Sequence, residues 1–133
     1  MKTGLLLITH GRIGQDMLDT TTGILGKCPL LASAITVQQD CDPDLMFEKA
    51  GKACAALNQG DGVLVLTDLY GSTPSNIATR LMDSHAVRVI SGVNVPMLLR
   101  IMNYPELGLD MLAEKAASGA HDGVIITSRK ETS

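Results

Sequence analysis

Apolar residues fall in two kinds of block along this chain. Leu5-Leu6-Leu7-Ile8 and Val63-Leu64-Val65-Leu66 are unbroken aliphatic runs, too short to span a membrane. Such runs read as parallel strands buried on both faces. Other segments repeat at the helical period. Over 13–25, Ile13, Met17, Leu18, Thr21 and Leu25 share one face, and Gly26 stands where a helix stops. A second strand is expected at 31–37. Asp42-Pro43 then supplies a cap and a first-turn proline for a helix with Leu45, Met46, Ala50, Ala53, Cys54 and Leu57 on its apolar face. The turn Asn58-Gln59-Gly60-Asp61-Gly62 leads into a third strand at 63–67. The loop 68–73 leads to a helix opening at Pro74, with Thr73 as its cap. A fourth strand is expected at 86–91, a short helix from Asn94-Val95-Pro96 through Met102, and a further helix from Pro105 carrying Leu107, Met111, Leu112 and Ala116. A short last strand is expected at 123–127, and the polar tail 128–133 is expected to fray. There is no internal repeat or low-complexity linker.

Strands alternating with helices across short turns predict an α/β fold, a doubly wound, mostly parallel sheet in one domain spanning 1–133. In the order 2-1-3-4 common to small sheets of this type, strands one and three are neighbours at the topological switch point. The short final strand then lies at an edge. Ligands of such sheets bind at the carboxyl ends of the strands. Strand one ends there in Thr9-His10-Gly11 and strand three in Thr67-Asp68. His10 and Asp68 are therefore expected to face each other across one crevice.

Composition narrows the possibilities. With 45% hydrophobic and 2% aromatic residues, the core is aliphatic and Met-containing. A net charge of -3 without a basic run argues against a nucleic-acid partner, and the lack of aromatics removes stacking surfaces for single strands. The three cysteines, Cys28, Cys41 and Cys54, are too widely spaced for a metal knuckle and read as reduced small hydrophobes of a cytoplasmic protein. The amino terminus has no signal-peptide pattern. No cofactor or metal is expected.

A carboxylate accepting from one imidazole nitrogen fixes the tautomer and leaves the other nitrogen free to attack. A free imidazole ionises near pH ~6.5, so its neutral form is accessible at cytosolic pH. Thr73-Pro74-Ser75 opens a helix whose first-turn amides and positive dipole end would point toward the crevice, and Ser72 and Thr73 add hydroxyls. This is an anion site without lysine, suited to a phosphoryl group held loosely enough to pass on.

These residues resemble the enzyme IIA component of the mannose class of the bacterial phosphoenolpyruvate-dependent sugar phosphotransferase system. The matching pieces are Thr9-His10-Gly11, Asp68-Leu69-Tyr70-Gly71-Ser72-Thr73-Pro74-Ser75-Asn76 and Ser91-Gly92-Val93-Asn94-Val95-Pro96-Met97-Leu98, in register along nearly the whole chain. The resemblance implies that His10 accepts a phosphoryl group from the phosphocarrier HPr and passes it to a histidine of a IIB protein, with Asp68 orienting the ring. Gly11, Gly71, Ser72 and Thr73 become the phosphate-binding candidates. Where the family often has two adjacent glycines, this chain has Gly71-Ser72. No IIB region follows, so the acceptor is expected to be a separate protein. The family is typically a homodimer with the last strand, here 123–127, exchanged or packed at the subunit boundary. No direct membrane insertion is implied.

Other readings stand beside this one. A histidine after a strand is commonly a loop or structural residue, and Asp68 alone is an ordinary turn cap. Gly11-Arg12-Ile13-Gly14 lacks dinucleotide spacing and reads as a helix entry, with Arg12 either a phosphate or partner contact or, more commonly for such a residue, a solvated side chain. His85 and His121 read as surface residues, and Met97, Leu98, Ile101 and Met102 as core or subunit interface. The Asn94-Val95-Pro96 turn either walls the crevice or supports it. A tetrapyrrole metal chelatase also places His-Gly after its first strand, but needs a second ligand near His10. A histidine phosphatase normally has arginine where Thr9 stands. A non-catalytic regulatory binding module is the third alternative.

Overall fold

The computed structural model describes residues 2–129; of the tail expected to fray, residues 130–133 lie outside the described residues. Four strands, β1 (Gly4–His10), β2 (Ala32–Val37), β3 (Val63–Thr67) and β4 (Val87–Ser91), form one wholly parallel sheet in the order β2-β1-β3-β4. Five helices connect and cover it: α1 (Ile13–Leu25), α2 (Pro43–Leu57), α3 (Thr73–Arg80), α4 (Val95–Met102) and α5 (Leu109–Asp122).

The aliphatic runs form the two central strands, and Leu5 to Ile8 and Leu64 to Leu66 are fully buried. Alternate residues feed two cores. Leu5, Leu7, Leu64 and Leu66 pack with Leu18 of α1, Met97, Leu98 and Ile101 of α4, and Leu112 and Ala116 of α5. Leu6, Ile8, Val63 and Val65 pack with Ala50 and Cys54 of α2 and Ile77, Ala78 and Leu81 at α3 and its end. A right-handed crossover needs opposite faces for moves in opposite directions along the sheet. The α1 crossover moves from β1 to β2, whereas α3 moves from β3 to β4. The direction therefore reverses between β1 and β3, as the sequence leads one to expect.

Three expectations are corrected. First, α3 begins at Thr73 with Ser72 at the N-cap, one residue early. Second, α5 begins at Leu109 rather than Pro105. The Tyr104 carbonyl accepts from the Leu107 amide at 3.2 Å, closing a turn, and Gly108 becomes the N-cap. Third, 123–127 form no strand within the chain. Gly123 packs against Pro96, where any Cβ would come within 2.3 Å of the proline Cβ. Beyond it Val124, Ile125 and Ile126 are 75%, 75% and 94% exposed. Their apolar pattern is that of a strand, but they pair with no strand among the described residues.

The helix faces follow the pattern unevenly. Leu18 and Thr21 of α1 are buried while Ile13 is 42% exposed, and on α2 Leu45 faces solvent while Ala50, Cys54 and Leu57 are buried. Met97, Leu98, Ile101 and Met102 are core. Asn94 is a support: its side-chain oxygen accepts from the Met97 amide at 2.8 Å, and its side-chain nitrogen donates to the Ala120 carbonyl at 3.3 Å.

Candidate functional site

Strand register brings the two chemical groups together. Thr67, the last residue of β3, lies opposite Ile8, so Asp68 leaves the sheet one step short of His10 on the adjoining strand. Its carboxylate reaches up and holds His10 twice. Asp68 Oδ2 accepts from the His10 main-chain amide at 3.2 Å and lies 2.9 Å from His10 Nδ1. Nδ1 is the donor in that contact, since an ionised carboxylate can only accept. Nε2 is left without a partner among the described residues, on a side chain that is 43% exposed. The Asp68 side chain is 14% exposed, and its Oδ1 is buried with no hydrogen-bond partner among the described residues.

The backbone around His10 is tightly determined. Gly11 takes the left-handed conformation (φ +50°) that lets the chain turn from strand to helix, and its amide donates to the Val37 carbonyl at 3.2 Å. On the other side of the residue, Thr9 Oγ1 accepts from the Gly14 amide at 2.8 Å.

His10 follows Leu6 and Ile8 on the sheet face covered by α2 and α3, because side chains alternate along a strand. Helix α3 leaves β3 at the carboxyl edge, so its positive end lies on the same edge and face as the imidazole. In the loop before it, Gly71 has φ +82° and donates its amide to Ser75 Oγ at 3.2 Å. The Ser72 hydroxyl donates to the Leu69 carbonyl at 2.6 Å. The Thr73 hydroxyl and the amides of Thr73 and Ser75 have no partner among the described residues.

The four phosphate-binding candidates therefore divide. Gly11 and Gly71 shape the backbone with their amides committed inside the protein, the Ser72 hydroxyl closes its own loop, and only Thr73 has an uncommitted hydroxyl. Pattern reading passes over Thr9 and Ser75, which are fully buried and 3% exposed. Their only sequence signal is a hydroxyl beside a strand end or a helix start. Leu69 and Tyr70 at the loop tip are 60% and 86% exposed, and Ile13 adds a third apolar side chain at the start of α1.

Arg12 is exposed and sits 3.5 Å from Asp16. His85 precedes β4 at the opposite, amino edge of the sheet and is partly exposed. His121 is almost wholly exposed beside Asp122. The three cysteines are free, and burial pushes the Cys54 thiol up to about 11, so it stays protonated and inert at neutral pH. Among the described residues no three His, Cys, Asp or Glu side chains gather as metal ligands, and no helix is long and apolar enough to cross a membrane.

The family model described as "PTS system fructose IIA component", of the EIIA-man family, matches residues 4–117. The chain belongs to this family. The structural relative called the mannose/sorbose specific IIA subunit of the phosphotransferase system from Enterococcus faecalis superposes over 100% of both chains with a TM-score of 0.87 and 27% identity. The mannose-specific EIIAB component of Escherichia coli K12 is 29% identical over 127 residues, 93% of this chain and 39% of that protein. The chain thus spans well under half the length of that relative. The transcriptional regulatory protein LevR of Bacillus subtilis is 27% identical over 81% of this chain and 12% of its own length. The mannose-class IIA family and its parallel 2-1-3-4 sheet are thereby established for this chain.

Proposed function

We propose that the chain is a phosphohistidine carrier of a sugar phosphotransferase system, a single IIA domain over 1–133 that works in the cytoplasm. His10 accepts a phosphoryl group from HPr on Nε2 and passes it to a histidine of a IIB protein. The observation that carries this reading is the double hold of Asp68 Oδ2 on His10, which commits Nδ1 and leaves Nε2 open.

The chemistry follows from that arrangement. As the Nε2–phosphorus bond forms, the donor's nitrogen–phosphorus bond breaks, and the His10 ring gains positive charge. Asp68 stabilises that charge through Nδ1–H without taking the proton. Its buried Oδ1 has no donor among the described residues, so the His10 amide and ring are the groups that meet the carboxylate's charge. In this reading the Thr73 hydroxyl and the amides of the first turn of α3 donate to the equatorial phosphoryl oxygens. With no lysine or arginine among these donors, the group is held loosely enough for the reverse step onto the next histidine.

Exposed Leu69 and Tyr70 form an apolar rim on which both protein partners dock in turn. The exposed run from Val124 to Ile126 supports a homodimer in which each tail packs at the subunit boundary. Downstream service is either sugar uptake or control of another protein. The likeness to a transcriptional regulator favours keeping the second use in view.

Incubation with phosphoenolpyruvate and the general phosphotransferase proteins tests the reading. A stable, acid-labile label on the protein is expected. Release of free phosphate would support a histidine phosphatase instead, and no label would support a chelatase or a binding module.

A further inference from the structure

We propose that Thr9, which points away from His10 on the opposite face of β1, is a positioning residue for phosphoryl transfer and acts through the Gly14 amide. The inference rests on the carrier reading above. Thr9 is fully buried, and its Oγ1 accepts from Gly14 N at 2.8 Å. Arg12 occupies the N-cap position of α1 and makes no side-chain capping bond. The task that an N-cap hydroxyl normally performs has passed to a residue inside the strand. Strand and helix are clamped directly: a Cβ on Gly14 would lie 3.0 Å from Thr9 Oγ1 and 3.1 Å from Leu7 Cβ.

This clamp closes a ring of chain from Thr9 to Gly14 with His10 inside it. Asp68 fixes the amide and ring of His10, and the clamp fixes the path by which its carbonyl leaves toward Gly11 and Arg12. Both constraints are needed to define the direction of the Cα–Cβ bond, and with it where Nε2 points. Removing the Thr9 hydroxyl leaves a buried N–H without an acceptor. The link between strand and helix then shifts to satisfy it, and His10 turns with the link. In-line transfer between two protein histidines depends on alignment, and a misplacement of about 1 Å can slow a reaction roughly 100-fold.

The test compares Thr9→Val, Thr9→Ser and Gly14→Ala in the full chain. One readout is the single-turnover rate of labelling from phosphorylated HPr; the other is the ¹⁵N spectrum of the His10 ring. Thr9→Val is expected to label roughly 10- to 100-fold more slowly and to lose the single Nδ1–H tautomer signature. Thr9→Ser, which restores the acceptor, should recover both. Gly14→Ala crowds the clamp from the helix side with the hydroxyl in place, and should slow labelling to a lesser degree. Should Thr9→Val not fold, Gly14→Ala decides: slower labelling with shifted ring signals supports the inference, and wild-type behaviour overturns it. Wild-type rates and ring signals in Thr9→Val, or equal slowing in the serine and valine variants, also overturn it. If the wild-type protein takes no label at all, the carrier reading fails, while the ring spectra still judge the clamp.

Discussion

A single oxygen of Asp68 grips both the main chain and the ring of His10, at 3.2 Å from the amide nitrogen and 2.9 Å from Nδ1. The two bonds make a chelate around one side chain, so the imidazole has little freedom to rotate. Replacing Asp68 with Asn keeps the size of the group but removes its charge and lets an NH2 compete for the ring. Transfer to His10 is expected to slow by roughly 100-fold, in the range typical for a positioned acid–base partner, with the far-ultraviolet circular dichroism unchanged. Stopped labelling time courses check this, and unchanged kinetics would refute the orienting role.

The two neighbouring hydroxyls before Pro74 should behave differently. Ser72 already donates to the Leu69 carbonyl, whereas Thr73 is uncommitted among the described residues. Thr73→Ala should slow phosphoryl transfer by about 10-fold or more, as expected for losing one donor to developing charge. Ser72→Ala should cost clearly less. Rates measured side by side decide the matter, and the reverse ranking would assign the phosphate contact to Ser72.

Packing of α4 on α5 depends on a missing side chain. A Cβ on Gly119 would lie 2.5 Å from Arg100 Cβ and 2.8 Å from its Cγ. The helices would have to separate to admit it. Gly119→Ala is therefore expected to destabilise the fold by about 1–3 kcal/mol, the usual size of an overpacking defect. Urea unfolding monitored by circular dichroism measures it.

The exposed tail makes an oligomeric prediction. Ile126→Asp or a chain ended after Gly123 removes apolar area that is left exposed among the described residues. Either change should shift the protein from dimer to monomer in sedimentation velocity at micromolar concentration. A wild-type protein that is already monomeric would overturn the proposed subunit boundary.

Much of this architecture is legible in the chain because its central strands are buried on both faces. An unbroken aliphatic run such as Leu5-Leu6-Leu7-Ile8 has few other homes, and once β1 and β3 are neighbours, the meeting of His10 with Asp68 follows from the register. The start of α5 is not legible in this way: Pro105 is a good first-turn residue, but Tyr104 closes a turn there and Gly108 takes the cap. The run at 123–127 carries a strand pattern but pairs with no strand among the described residues, since local periodicity reports burial without naming the partner. The uses of Thr9 and Ser75 were hidden for another reason. A hydroxyl that accepts from an amide four or five residues away leaves no periodic trace, and only the path of the backbone brings Thr9 to Gly14 and Ser75 to Gly71.

The account turns on which nitrogen of which histidine carries the phosphoryl group. Phosphorus–nitrogen correlation by NMR on protein labelled through phosphoenolpyruvate and the general phosphotransferase proteins reads it directly. The prediction is one phosphoramidate, on Nε2 of His10, absent from His10→Ala. A signal on Nδ1, or label retained by His10→Ala at another residue, would contradict it.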